Sequence, residues 1–137
     1  MDVWCAIRTY PKHAQELGNP IPQEPVFFLK PTSSVTSFGE IDACDGDVHH
    51  EIELVIRLDS ELKPHKMALG LDLTKRSIQD RLKLNSLPWA EAKAFKGAAV
   101  IGEWVNFDSN ARYTLEKNGK MVQSGSLKEM SWTVEEL

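Results

Sequence analysis

The stretch "VHHEIELVIRL", residues 48–58, constrains this chain more than any other. It reads as a β-strand, and side chains alternate across a strand. His50, Ile52, Leu54, Ile56 and Leu58 share one face, and His49, Glu51, Glu53, Val55 and Arg57 share the other. The plain account is a half-buried strand with a solvated outer face. Yet that face carries two carboxylates, Glu51 and Glu53, whose Cα atoms lie about 6.5–7 Å apart. Like charges so placed repel unless solvent or a cation stands between them. A divalent cation turns the repulsion into coordination, and hard cations such as Mg²⁺ take carboxylate oxygens and keep several waters. Asp72, in the otherwise apolar "ALGLDLT", is the candidate third ligand, since an acid there needs a partner; a turn cap or a basic neighbour would serve it equally. Zinc is the competing metal. His49 and His50 point to opposite faces and cannot both ligate one ion, and an oxygen-rich set favours Mg²⁺ or Mn²⁺.

Turn and cap signals divide the remaining chain. "WCAI" reads as a short strand, and "PKHAQEL" as a short helix with Pro11 in its first turn and Gly18 past its end. "GNPIPQEP" is a loop, "VFFLK" a strand stopped by Pro31, and "TSSVTSFGEIDACDGD" a turn-rich stretch with one short strand. "DSELKPHK" reads as a polar connection and "MALGLDL" as a strand. Thr74 is the expected cap of a helix over "KRSIQDRLKL". "PWAEAKAF" offers a helical turn or two, and "AAVIGEWV" an apolar strand. "YTLEKNGKMVQSG" is a hairpin around Asn118-Gly119, a type I′ signal. A capped helix is expected from Ser131. The outcome is an α+β fold of mainly mixed β-structure with short helices and a sheet that curls, in a single domain over residues 1–137.

The net charge of −4 gives no basic surface for nucleic acid or an anionic membrane. No apolar run is long enough to span a bilayer. Without a secretory leader, Cys5 and Cys44 read as reduced thiols of a cytoplasmic protein.

Taken in order, "RTYPKHAQELGNPIPQEPVFFLKP" (8–31), "VHHEIEL" (48–54), "LGLDLTKRSIQ" (69–79), "PWAEAKAF" (88–95) and "IGEWV" (101–105) resemble the fumarylacetoacetate hydrolase family. The hairpin and "MSWTVEEL" extend the resemblance over nearly the whole chain. It implies a β-roll, a homodimer, and Mg²⁺ or Mn²⁺ held by a Glu-x-Glu strand and a later Asp, matching Glu51, Glu53 and Asp72. It implies a small 2-oxo acid as substrate, and C–C hydrolysis of an acylpyruvate or decarboxylation of oxaloacetate through a metal-stabilised enolate. Isomerisation is the family's alternative, and a metal- or ligand-binding remnant without turnover is another. Lys93 matches the family's active-site lysine. His13 and Glu16, three apart on one helix face, match its His–Glu pair, which activates water. Lys30 and Arg8 are the expected substrate contacts. The chain departs from the family at Ile7-Arg8-Thr9-Tyr10, where Gly-Arg-Asn-Tyr is usual. The resemblance also leads one to expect further strands and a Thr-Gly-Thr-Pro-like loop beyond residue 137.

Overall fold

A computed structural model describes residues 2–16, 18, 20–39, 41 and 47–137, with the side chain of His13 excepted. Cys44 lies outside the described residues. Contacts group the chain into two units. The first comprises Met1–Cys5, Phe28–Val55 and Ala68–Trp104, and the second comprises Ala6–Phe27, Ile56–Met67 and Val105–Leu137.

The first unit is organised by an apolar strand, β6 (Ala99–Ile101), all three residues of which are buried. A strand covered on both faces shows no polar alternation, and this one is flanked on both edges. It runs parallel to β3 (Val35–Ser37), with Val35 opposite Ala99 and Ser37 opposite Ile101. It runs antiparallel to β5 (Pro64–Lys75), with Gly70 opposite Ile101 and Asp72 opposite Ala99. The strand order is β3-β6-β5-β4, where β4 is Val48–Leu58 with the bounds its sequence suggests. A separate two-stranded sheet pairs β1 (Val3–Ala6) with β2 (Phe27–Lys30). Two short helices follow β5, α2 (Arg76–Leu84) and α3 (Ala90–Lys93). The guanidinium of Arg81 donates to both carboxylate oxygens of Glu91, at 3.0 and 2.9 Å, which joins the two helices at the surface.

Gly70 sits where neighbouring strands press close on β5. A Cβ there would lie 2.7 Å from Val55 Cγ2 and 3.0 Å from the Val100 carbonyl oxygen. Gly70→Ala therefore forces β5 away from a neighbouring main chain, at a cost of about 1–3 kcal/mol. Urea unfolding of the two proteins measures it; an unchanged midpoint would mean that the strands part freely.

In the second unit, α1 (Pro11–Glu16) is followed by Gly18 at φ +65°, the left-handed residue expected past a helix end. Strands β8 (Arg112–Lys117) and β9 (Lys120–Ser126) form the hairpin. Asn118 at φ +52° and Gly119 at φ +73° make the type I′ turn. The ring of Tyr113 lies over Gly125, its cross-strand partner, and packs edge-on to Tyr10 at 6.3 Å. Strand β7 (Val105–Asn106) pairs with the beginning of β5.

Three expectations need correction. The polar connection is shorter than "DSELKPHK", because Asp59 Oδ1 accepts from the backbone N–H of Glu61 and of Lys63, at 2.8 and 3.0 Å. That Asx turn closes the loop early and lets β5 begin at Pro64. Thr74 does not cap α2. The strand stays extended through Lys75, and the Thr74 hydroxyl is buried with no hydrogen-bond partner. The cap is supplied from the residue before β4. Asp47 Oδ2 accepts from Ser77 N at 2.7 Å and the Asp47 carbonyl from Arg76 N at 3.2 Å. Hydrogen bonds from the Ser77 hydroxyl and backbone hold the Asp47 carboxyl below the usual range. No helix starts at Ser131, whose N–H donates to the Thr9 carbonyl at 2.8 Å. A capping box instead joins Thr133 and Glu136: Thr133 N donates to Glu136 Oε2 at 2.8 Å, and Glu136 N to Thr133 Oγ1 at 3.3 Å.

Candidate functional site

Glu51 and Glu53 project from β4, and Asp72 from the neighbouring β5. The solvated-face account of β4 does not hold here. Glu51 is only 21% exposed and Asp72 only 11%. The Glu53 carboxyl is pushed up to about 8, by burial first and then by the charges of Asp72 and Glu51. An isolated buried acid would be a poor use of an interior position, so the cations around this one matter.

Two lysines supply them. Lys93, on the single turn of α3, puts its ammonium 2.5 Å from Asp72 Oδ2 and 3.8 Å from Glu51 Oε2. Lys30, at the end of β2, is 1% exposed, with its ammonium 2.9 Å from Asp72 Oδ1. Burial lowers the Lys30 pKa, against the opposing charge of Asp72. The Phe28 ring lies under both ammoniums, 5.0 Å from that of Lys93 and 6.0 Å from that of Lys30, and a ring face offers such cations further attraction. Phe28 in turn packs against Trp89 at 6.2 Å.

Arg76 fixes the remaining oxygen of Glu51. Its Nη2 donates to Glu51 Oε1 at 3.1 Å, and its Nη1 to Oε1 of the buried Gln79 at 2.7 Å. Its Nε reaches His49 Nδ1 at 3.4 Å. Sequence reading missed Arg76, Gln79 and Phe28. The signal was present in "DLTKRSIQ", where Arg76 and Gln79 are three apart on one helix face and follow Asp72 by four and seven residues. Among the described residues Cys5 is a free thiol. Burial and the Asp72 charge push it up to about 12, so at neutral pH it is not a nucleophile.

Whether this set suits a divalent cation can be judged from its atoms. Among the described residues no three His, Cys, Asp or Glu side chains form a finished ligand group; the Lys93 ammonium bridges Glu51 and Asp72. The donor set is nevertheless right for a hard ion, since it is carboxylate oxygen throughout. Asp72 Oδ1 is buried with the Lys30 ammonium 2.9 Å away. A carboxylate in so buried a place needs a cation beside it, which the two ammoniums supply and a divalent ion could also supply. Glu53 is likewise a carboxylate that its own surroundings disfavour as an anion and that a cation would stabilise.

The other expected site residues belong to the second unit. Glu16 is exposed on α1, the helix that also carries His13. Arg8 has a left-handed backbone at φ +55°, and its Nη1 donates to the Pro20 carbonyl at 3.3 Å.

Comparison with known proteins defines the class. The fold matches a fumarylpyruvate hydrolase from Pseudomonas aeruginosa, solved in complex with Mn²⁺ and pyruvate. The TM-score is 0.88 at 30% identity, over 99% of this chain and 68% of that one. The chain belongs to the fumarylacetoacetate hydrolase family, whose "Fumarylacetoacetate (FAA) hydrolase C-terminal" model matches residues 2–137. It is 36% identical to the mitochondrial oxaloacetate decarboxylase of Dictyostelium discoideum, over 95% of this chain and 68% of that protein. It is 31% identical to the oxaloacetate tautomerase YcgM of Escherichia coli, over 93% of this chain and 67% of that one. The α+β class expected from sequence is therefore the family's own. Among the described residues no helix is long and apolar enough to cross a membrane.

Proposed function

We propose that this chain acts on a short 2-oxo acid of the oxaloacetate type, cleaving a carbon–carbon bond with a divalent metal held by Glu51, Glu53 and Asp72. The observation that carries the reading is the meeting of Glu51 and Asp72 at the Lys93 ammonium, with the buried Glu53 close enough to feel the charges of all three. The Mn²⁺ and pyruvate in the Pseudomonas relative, and the oxaloacetate enzymes among the others, support it.

A Mg²⁺ or Mn²⁺ ion in this site supplies Lewis acidity toward the carboxylate and 2-oxo oxygens of such an acid. The protein's own groups do the rest. Lys93 keeps a fixed positive charge where negative charge develops on the 2-oxo oxygen as the adjacent bond breaks. Arg76 and Gln79 hold Glu51 in one orientation, so that its second oxygen faces inward. Phe28 and Trp89 give the lysines an apolar side, which strengthens the electrostatics by excluding water. On the family resemblance we assign proton handling to the His13–Glu16 pair, carboxylate binding to Arg8, and a homodimeric state to the chain.

The test begins by chelating the protein, reloading it with Mg²⁺ or Mn²⁺, and following oxaloacetate and an acylpyruvate by proton NMR. Metal-dependent release of pyruvate is expected. Accelerated keto–enol exchange without cleavage would instead make the chain a tautomerase, as YcgM is named. Metal binding with no conversion would leave a binding protein, and failure to bind either ion would overturn the site.

A further inference from the structure

We infer that Lys30 is a positioning residue, which aims the Asp72 carboxylate and the Lys93 backbone at the site, rather than a contact for substrate. The inference rests on the metal-site reading above and gives Lys30 a different role within it. An ammonium has three N–H donors and no acceptor. Those of Lys30 meet three main-chain carbonyls, of Lys93 at 2.6 Å, Ala98 at 3.0 Å and Leu73 at 3.2 Å. Its donors are used up inside the protein, and at 1% exposure no substrate reaches it.

The origin of those carbonyls is informative. Leu73 directly follows Asp72 on β5, Lys93 is itself a site residue at the end of α3, and Ala98 directly precedes β6. The Ala98 carbonyl also accepts from Leu73 N at 2.9 Å, so the Leu73 and Ala98 segments are tied to one another as well as to Lys30. One ammonium thus fixes the main chain from which Asp72 and Lys93 both project. The same ammonium stands 2.9 Å from Asp72 Oδ1, so it also pairs with the carboxylate whose main chain it holds. Lys30 therefore orients the Asp72 carboxylate directly as well as through the backbone. An apolar side chain in place of Lys30 would take one donor from each of three carbonyls, of which that of Ala98 would keep Leu73 N, and a substrate-binding lysine would not be spent on them.

Two measurements test this. The first uses the wild-type protein and needs no variant to fold. The Lys30 ammonium is observed by nitrogen-15 NMR and assigned through its hydrogen-bond couplings to the carbonyl carbons of Lys93 and Ala98. A sharp, slowly exchanging signal is expected that moves when Mg²⁺ is added and stays in place when oxalate or pyruvate follows. A shift on adding the acid as large as that of Lys93 would overturn the inference. The second compares Lys30→Met with wild type, reading Mn²⁺ affinity by electron paramagnetic resonance and KM at saturating Mn²⁺. Positioning predicts a 10–100-fold loss of metal affinity with KM for the oxo acid changed less than about threefold. A substrate contact predicts the reverse, a raised KM with metal affinity intact, and that result would sink the proposal. If wild type binds no Mn²⁺, the metal reading fails separately, and the response of the ammonium signal to the acid still decides whether Lys30 touches substrate.

Discussion

Asp72→Asn is expected to abolish divalent-metal binding and to destabilise the metal-free protein by about 3–5 kcal/mol. The two effects share one cause. Asp72 is the counter-ion of two ammoniums, Lys30 at 1% exposure and Lys93 at 5%. An amide has the shape of the carboxylate but not its charge. Removing one partner from a buried ion pair leaves the other charged and desolvated, which costs far more than the pair itself contributes. Lys30 keeps its three carbonyls, and Lys93 keeps Glu51 at 3.8 Å, so the fold weakens without collapsing. Urea unfolding of metal-free Asp72→Asn gives the stability, and Mn²⁺ calorimetry the binding. The double variant Asp72→Asn, Lys93→Met should regain part of the lost stability, because it removes one of the stranded charges while leaving metal binding absent. Such contacting sites are not additive. Equal stabilities for the single and double variants would show that Lys93 is solvated after all. A change below about 1 kcal/mol in Asp72→Asn would place the pair among ordinary surface bridges.

The parts of this site that were readable in the sequence are those in which a residue breaks a local pattern. Glu51 and Glu53 stood out because two acids share one face of a long strand, and Asp72 because it interrupts an apolar run. The β4 bounds and the Asn118-Gly119 turn followed from alternation and backbone sterics alone. What failed depended on partners remote in the chain. Thr74 has the composition of a cap, but β5 continues past it and Asp47, thirty residues before Ser77, does the capping. The Ser131 helix lost to a capping box two residues later, whose Thr133-x-x-Glu136 spacing was in plain view. Lys30 was the least legible. A lysine at the end of a strand normally points to water, and only the folded chain shows three carbonyls converging on it. The resemblance to a family raised Lys30 to notice, and local sequence could not say what its ammonium touches.

Glu53→Gln should separate stability from function in the opposite sense. Burial and the neighbouring charges of Asp72 and Glu51 disfavour the Glu53 anion, pushing its carboxyl from an ordinary value near 4.5 up to about 8. For an acid whose folded value is raised, no penalty exists below the unfolded value, where both states are protonated. The penalty grows as pH rises between the two values and is complete above the folded one. The glutamine pays none of it. Metal-free Glu53→Gln is therefore expected to match wild type near pH 4 and to become more stable than it through pH 5–8, by an amount on the order of 1–3 kcal/mol at the upper end. The same change removes an anionic oxygen from the proposed ligand set, so Mn²⁺ affinity should fall at least 100-fold at pH 8, with turnover lost alongside it. Thermal unfolding across pH, with and without Mn²⁺, reads both effects. Added Mn²⁺ should raise the melting temperature of wild type and leave that of the variant unmoved, because only a ligand bound to the native state stabilises it. A variant less stable than wild type at pH 8 without metal would mean that Glu53 is satisfied by protein groups, and the site would lose its need for a cation. A more stable protein that has lost its metal would instead identify Glu53 as a residue retained at the expense of the fold, which is what a functional carboxylate in an unfavourable place should be.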